Sequence, residues 1–402
     1  MNDIAAQLDA LRDAGLYRHT TLISGPQGPR VLLDGTPVLL MCSNNYLGFA
    51  DHPRVREAAA DAAMRWGVGA GASRLVSGTM TIHERLERRL AEFEATEACT
   101  LFGSGYLANV GVLSALGRDG QTIFSDSLNH ASIIDGCRLA RAEVFVYRHC
   151  DLDHLQWALR EHGRPGDVIV TDSVFSMDGD VAPLRGIVEL AQRHGARVVV
   201  DEAHATGALG PGGRGAVAAA GLEEQVDVIV GTLSKALGSY GGYVCASREI
   251  IELLQNSART LIYSTAPPPP AVAAAAAALE LLVAQPLRPE KLQAMANLLR
   301  EELRAAGIEP PPPGTQILPL VAGDAEAALR VSAGALARGV FAQAIRPPTV
   351  PEGSSRLRLT VMASHTVAEL ASAAAAIAAA AEEAGVTLSG AAVTAEPVAR
   401  AA

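Results

Sequence analysis

VDVIVGTLSKALG, residues 226–238, is a run of apolar β-formers that breaks into a glycine, two hydroxyl residues and one lysine. An apolar run without polar alternation suits a strand covered on both faces, the condition met in a parallel sheet between helices. Lys235 then stands just past the carboxyl end of that strand, with Thr232 and Ser234 beside it. In open α/β sheets ligands collect at this end. A short way upstream, ARVVVDEAHATG (196–207) repeats the form, with an apolar strand ending at Asp201 and with His204 and Gly207 beyond. One amine and one carboxylate at two strand ends narrow the chemistry more than either does alone.

The pattern continues on both sides of these runs. From about residue 51 to 285, helical periodicities alternate with the short β-rich runs TIFSD, EVFVY, VIVTD, ARVVVDE, VDVIVG and GYVCA. Strands separated by helices predict an α/β fold with a mostly parallel sheet. Residues 1–50 read as an amphipathic N-terminal helix followed by short strands around VLLDGTPVLLM, and residues 51–285 as the large domain. Proline runs at Pro267–Pro270 and Pro310–Pro313 punctuate the chain. The smaller C-terminal domain is expected over 286–385, with strands in QILPLVAG and RLRLTV. Residues 386–402 have too little apolar mass to pack and read as a disordered tail.

Composition removes several function classes. The 402 residues are 49% hydrophobic and 19% charged, with a net charge of −10 and no long basic cluster, which argues against nucleic acid as a partner. The five cysteines include no CxxC pair and read as free thiols of a reducing, cytoplasmic setting. The acids in MNDIAAQLDALRDAGLYRH argue against a signal peptide. AVAAAAAALELLVAQ (271–285) is mostly alanine and carries Glu280, so no membrane span is expected there.

A lysine amine in a partly desolvated site has a lowered pKa and forms a Schiff base with a carbonyl. Pyridoxal phosphate (PLP) offers that carbonyl, and needs an acid such as Asp201 to keep its pyridine nitrogen protonated as an electron sink. It also needs a phosphate cradle, and LFGSGYLANVGVLSAL supplies Gly103, Ser104 and Gly105 at a helix start, where exposed N–H groups attract anions. The Thr232 hydroxyl adds to this cradle. SLNHAS offers His130 to lie on a ring, and SVFSMDGD offers Ser176 to hydrogen-bond the ring oxygen. GVGAGASRLVSG (67–78) imitates a dinucleotide fingerprint, but no apolar strand precedes it and no strand-end acid follows at the required distance. It reads as a flexible glycine loop lining a site, with Ser73 and Arg74 available for polar contacts.

SNNYLGF (43–49), GAGASRLVSG (69–78), GSGYLAN (103–109), SLNHASIIDG (127–136), SVFSMDGD (173–180), VDEAHATG (200–207) and GTLSKALG (231–238) together resemble the α-oxoamine synthases. These are PLP enzymes that condense an amino acid with an acyl-CoA, and the resemblance runs in order over about residues 10–385. It implies PLP fold type I: a large domain whose mostly parallel seven-stranded sheet lies between helices, a smaller C-terminal α+β domain, and a homodimer with interface active sites. Carried onto the matching positions, it makes Lys235 the Schiff-base lysine and Asp201 the partner of the pyridine nitrogen. His204 and Ser176 contact the ring hydroxyl, His130 stacks on the ring, and Ser104, Gly105 and Tyr106 lie in the cofactor pocket. Thr232 holds the phosphate, with Thr265 of YSTAP reaching in from the neighbouring subunit. Asn44 and Ser73 fall among the substrate contacts.

AIRPPTVPEGSSRLRLTVMASHT (344–366) is similar to the branch of the family that joins L-alanine to a pimeloyl thioester on the way to biotin. That similarity implies that Arg346 grips a substrate carboxylate bidentately, that Thr349 assists, and that Arg18 of GLYRH approaches the end of the acyl chain. The acyl carrier, CoA or a carrier protein, stays open. So do a relative that condenses glycine with acetyl-CoA and a silent scaffold subunit of the same fold.

Overall fold

A computed structural model describes residues 4–390 of the chain. Its strands are β1 (Ile23–Ser24), β2 (Arg30–Leu33), β3 (Thr36–Leu40), β4 (Ala98–Phe102), β5 (Thr122–Asp126), β6 (Glu143–Tyr147) and β7 (Val168–Asp172). They continue with β8 (Arg197–Asp201), β9 (Val228–Thr232), β10 (Gly242–Ala246), β11 (Ile317–Gly323), β12 (Val340–Phe341), β13 (Gln343–Ile345) and β14 (Ser355–Thr360). The six β-rich runs of the large domain are β5 to β10.

The chain divides into two compact units. Among the described residues, one comprises 45–176 and 180–290, the other 4–44, 177–179 and 291–390. The expected change at residue 286 therefore moves to the Glu290–Lys291 step, inside the helix Arg288–Ala305. Residues 4–44 form no separate element, because β3 pairs in parallel with β12 and so joins the C-terminal segment.

The larger unit carries a seven-stranded sheet of order β4-β10-β9-β8-β7-β5-β6. The ladders from β9 through β8, β7 and β5 to β6 are parallel. Every residue of β5, β7 and β9 is buried, as expected of strands covered on both faces. The seventh strand, β4, is the short apolar run ACTLF before Gly103, and β10 pairs antiparallel with both β4 and β9. Beneath the sheet, Phe102, Val112, Leu113, Val170, Val199 and Val230 share one core.

The smaller unit combines the sheet β1-β2-β3-β12 with the antiparallel sheet β11-β14-β13, packed by helices. Its first helix, Ile4–Asp13, buries none of its residues. The helix Pro269–Ala284 of the larger unit starts within the proline run, two prolines occupying the first turn, where a missing N–H removes no helical bond. Its Glu280 pairs with Arg89 at 2.6 Å. No single helix among the described residues is long and apolar enough to cross a membrane.

The expectation of disorder from residue 386 is corrected for its first residues. Leu388 is 4% exposed, Ser389 N–H donates to the Val321 carbonyl at 3.1 Å, and Gly390 N–H donates to the Glu309 carbonyl at 2.8 Å. The Val386 and Val321 N–H groups add bonds to the Ala381 and Ser389 carbonyls, so this stretch is held to its unit; the rest of the expected tail lies outside the described residues.

β14 shows how this unit tolerates charge in its core. Arg356 is 2% exposed; its Nε donates to the Ser354 carbonyl, and its guanidinium pairs with the Asp178 carboxylate. Arg356→Ala is expected to cost about 3 kcal/mol, the low end for a broken buried pair, since water still reaches the orphaned carboxylate. A lowered urea midpoint measures this; an unchanged midpoint contradicts it.

Candidate active site

The strand ends β7, β8 and β9 deliver Asp172, Asp201 and Thr232 side by side, because these strands are parallel neighbours. Asp172 and Asp201 are register partners, both buried. Burial first, and the Asp201 charge second, push the Asp172 carboxyl well above the usual carboxylate range. Asp172 nonetheless accepts the backbone N–H of His130 at 2.7 Å, which sets the start of the helix Ala131–Leu139.

Asp201 Oδ1 accepts the N–H of Ala203 at 2.7 Å, and its Oδ2 accepts an amide hydrogen of Asn109 at 2.6 Å. Two donors thus converge on this buried side chain, one at each oxygen. The next residue, Glu202, points to the other face of the strand, where it caps the helix Gly215–Ala220 through the N–H groups of Ala216 and Val217. Burial pushes this carboxyl up to about 8.

Lys235 lies half-buried past β9, its Nζ 2.9 Å from Nε2 of His204. Nδ1 of His204 is 2.6 Å from the buried Tyr46 hydroxyl. His130 is close enough to feel both charges. Burial lowers its pKa, the Asp201 carboxylate opposes this, and the Lys235 ammonium reinforces it. Lys235, Asp201, His204 and His130 are thus gathered at one end of one sheet.

The helix Gly105–Leu116 starts beside them. Ser104 caps it, with Oγ accepting from Leu107 N–H at 3.2 Å. A Cβ on Gly242 would lie 2.5 Å from the backbone nitrogen of Gly105, so only glycine lets β10 approach this helix start. A Cβ on Gly105 would lie 3.5 Å from Cβ of Thr232, which places the Thr232 side chain next to the helix N-terminus. The Thr232 hydroxyl donates to the Gly241 carbonyl at 3.0 Å and accepts from Ser234 N–H at 3.1 Å. Tyr106 is 43% exposed and donates to the Asp135 carboxylate. Ser176 lies half-buried past the end of β7.

The glycine loop 67–78 is more ordered than expected. Ser73 forms an antiparallel bridge with Thr265 of its own chain, and the Ala266 N–H donates to the Ala72 carbonyl at 3.0 Å. Arg74, expected to be available for contacts, is instead locked. Its guanidinium grips Glu87 at 2.6 and 3.0 Å, and Glu87 also accepts the Leu101 N–H. A charge at 8% side-chain exposure needs such a partner.

The remaining expected substrate contacts lie in the smaller unit. Arg346 donates to the Gly15 and Tyr17 carbonyls, and Arg18 donates to the Thr349 hydroxyl at 3.1 Å. Burial, and then the charge of Arg18, lower the pKa of Arg346, so two guanidiniums face one neighbourhood. Asn44 accepts from the buried Arg358 at 3.2 Å.

Asn109, Ser132, Asp172, Tyr46 and Arg358 join the site without having been among the expected residues. Asn109 and Tyr46 stand within quoted motifs, but nothing local says that their side chains face the strand ends. Arg358 had a signal: arginines two apart in the apolar run RLRLT must share one face of a strand.

A PLP-sized aromatic phosphate asks for an amine, a ring-nitrogen acid, a ring platform and an anion-binding helix start. Lys235, Asp201, His130 and the Gly105 helix with Thr232 meet that donor set. The fold and this cluster define a class, and the chain belongs to it: residues 36–377 match the aminotransferase class I and II family, within which the chain falls among the α-oxoamine synthases. It is 51% identical to the 8-amino-7-oxononanoate synthase of Citrifermentans bemidjiense, over 93% of this chain and 97% of that protein. The synthase of the same name from Geobacter sulfurreducens is 49% identical, over 95% of this chain and 99% of that protein. Among solved structures, Sphingomonas wittichii serine palmitoyltransferase superimposes with a TM-score of 0.90 at 31% identity, covering 96% of this chain and 98% of that one. The 8-amino-7-oxononanoate synthase of Francisella tularensis gives 0.74 at 26% identity, with 86% and 98% covered.

Proposed function

We propose that this protein is a PLP-dependent acyltransferase that condenses L-alanine with pimeloyl-CoA, or a pimeloyl carrier protein, to give 8-amino-7-oxononanoate for biotin synthesis. The observation that carries this reading is the meeting of Lys235, His204, Asp201 and His130 at one sheet end, in a chain 51% identical to a synthase of that name. Lys235 would hold the cofactor's carbonyl, Asp201 its ring nitrogen, His130 its ring face, and Thr232 with the Gly105 helix start its phosphate. Ser176 and His204 would take the ring hydroxyl, and Ser104 and Tyr106 would border the pocket. Bound there, PLP supplies the electron sink for a carbanion at the α-carbon of the amino acid.

The chain's own groups account for the rest. Lys235 removes the α-proton of alanine and later returns a proton to the same carbon. The α-carbon bonds to the thioester carbonyl carbon, the C–S bond breaks, and the thiol leaves with a proton. The alanine carboxyl then departs as CO2, so that one proton is consumed overall. Asn44 with Arg358, and Ser73, would contact substrate. Arg346, Thr349 and Arg18 would bind the far carboxylate of the acyl chain, which accounts for two adjacent guanidiniums.

The protein would work as a homodimer. Around the Ser73–Thr265 bridge, Leu75, Val76 and Tyr263 are 57%, 79% and 72% exposed, an apolar surface that a second copy would cover.

The deciding experiment measures thiol release with alanine or glycine against pimeloyl-CoA or acetyl-CoA. Release with alanine and pimeloyl-CoA supports the reading; release confined to glycine and acetyl-CoA overturns it. Arg346→Ala is expected to raise the KM for pimeloyl-CoA by about 10- to 100-fold, the loss of a charged hydrogen-bond pair, with the alanine KM nearly unchanged. Steady-state kinetics in both substrates checks this.

A further inference from the structure

The hydrogen bonds around His130 fix where its proton sits. The backbone N–H of Ser132 points at Nδ1 from 3.2 Å, and a backbone amide can only donate. Nδ1 must therefore present its lone pair, which puts the single proton of the neutral ring on Nε2. Ser132 Oγ lies 2.7 Å from the same Nδ1 and so must donate its own proton there. With that proton committed, Oγ accepts from Asn109 Nδ2 at 2.9 Å. The other amide hydrogen of Asn109 goes to Asp201 Oδ2 at 2.6 Å. Asn109 Oδ1 is buried with no hydrogen-bond partner among the described residues, so its amide is oriented by its two donated bonds alone. Turning the amide over would set its carbonyl oxygen against the Asp201 carboxylate.

We propose that Asn109 and Ser132 are positioning residues that hold His130 as the neutral Nε2–H tautomer, a hydrogen-bond donor through Nε2 and not a base. The orientation of the ring is thereby tied to Asp201 through three hydrogen bonds. Protonating Nδ1 would set an N–H against the fixed N–H of Ser132 and break the bond from its hydroxyl. The charged groups acting on the ring are Asp201 on β8 and Lys235 past β9, and the titratable Asp172 carboxyl on β7 holds the backbone N–H of the same residue. The catalytic meaning of this tautomer rests on the function proposed above, but the tautomer itself does not.

The test is nitrogen-detected NMR on the full-length protein labelled with 15N-histidine, the His130 signals being those lost in His130→Gln. The expected spectrum shows a protonated Nε2 and an unprotonated Nδ1. Ser132→Ala should raise the pH at which His130 titrates, since it removes a donor to the neutral form. The same variant should lower kcat by up to about tenfold at an alanine KM within about twofold, and Ser132→Thr should restore both. A protonated Nδ1 in the unaltered protein, or an unmoved titration in Ser132→Ala, overturns the proposal. A moved titration with unchanged kcat overturns its catalytic part. The expected tautomer in a protein without acyltransferase activity supports the assignment of the proton and overturns the function instead.

Discussion

Lys235→Ala is expected to remain folded and to lose more than about 10³-fold in turnover, because one amine both anchors the cofactor and moves the α-proton. The fold should survive, since the Lys235 side chain is half-buried at a loop and belongs to no apolar core. Its Nζ sits against His204 Nε2, and His204 is held by Tyr46 from its other nitrogen, so alanine leaves the histidine in place. Loss of the visible absorption of lysine-bound cofactor, with an unchanged circular dichroism spectrum, is the measurement. A yellow, fully active variant contradicts the role.

The second large effect falls on Asp201. Asp201→Asn keeps the side-chain shape and removes the charge, and kcat is expected to fall by about 10²- to 10³-fold, as when one preorganised charge contact is lost in a desolvated site. The carboxylate accepts from Ala203 N–H at one oxygen and from Asn109 at the other. An amide nitrogen at either position faces a donor, so stability should fall as well. Measuring kcat at saturating cofactor separates the electronic loss from weaker cofactor binding; near-normal turnover would show that another group holds the ring proton. The same substitution would also relieve Asp172 of a neighbouring charge that helps raise its pKa, so that Asp172 should ionise at lower pH.

The short β-rich runs made β5 to β10 legible, because strands covered on both faces, such as β9 and β10, are built mostly from apolar β-formers. The same runs placed Asp201 and Lys235 at strand ends. The run ACTLF is not among these six runs, since β4 is recognised as a strand by its ladder with β10, far away in sequence. Arg74 shows the opposite failure: a polar residue in a glycine-rich loop reads as available until Glu87, on a different element, is seen to grip it.

The sequence by itself determined the α/β class, an amine and an acid each at a strand end, and the glycines at the helix start, because each depends on residue type within a few positions. The tertiary structure alone decided that residues 4–44 join the C-terminal unit, that Tyr46 backs His204, and that Asn109 and Ser132 connect Asp201 to His130. The reason is physical: a hydrogen bond depends on distance and direction in space, and partners such as Asn109 and Asp201 are brought together by sheet register and helix packing, which no local pattern encodes.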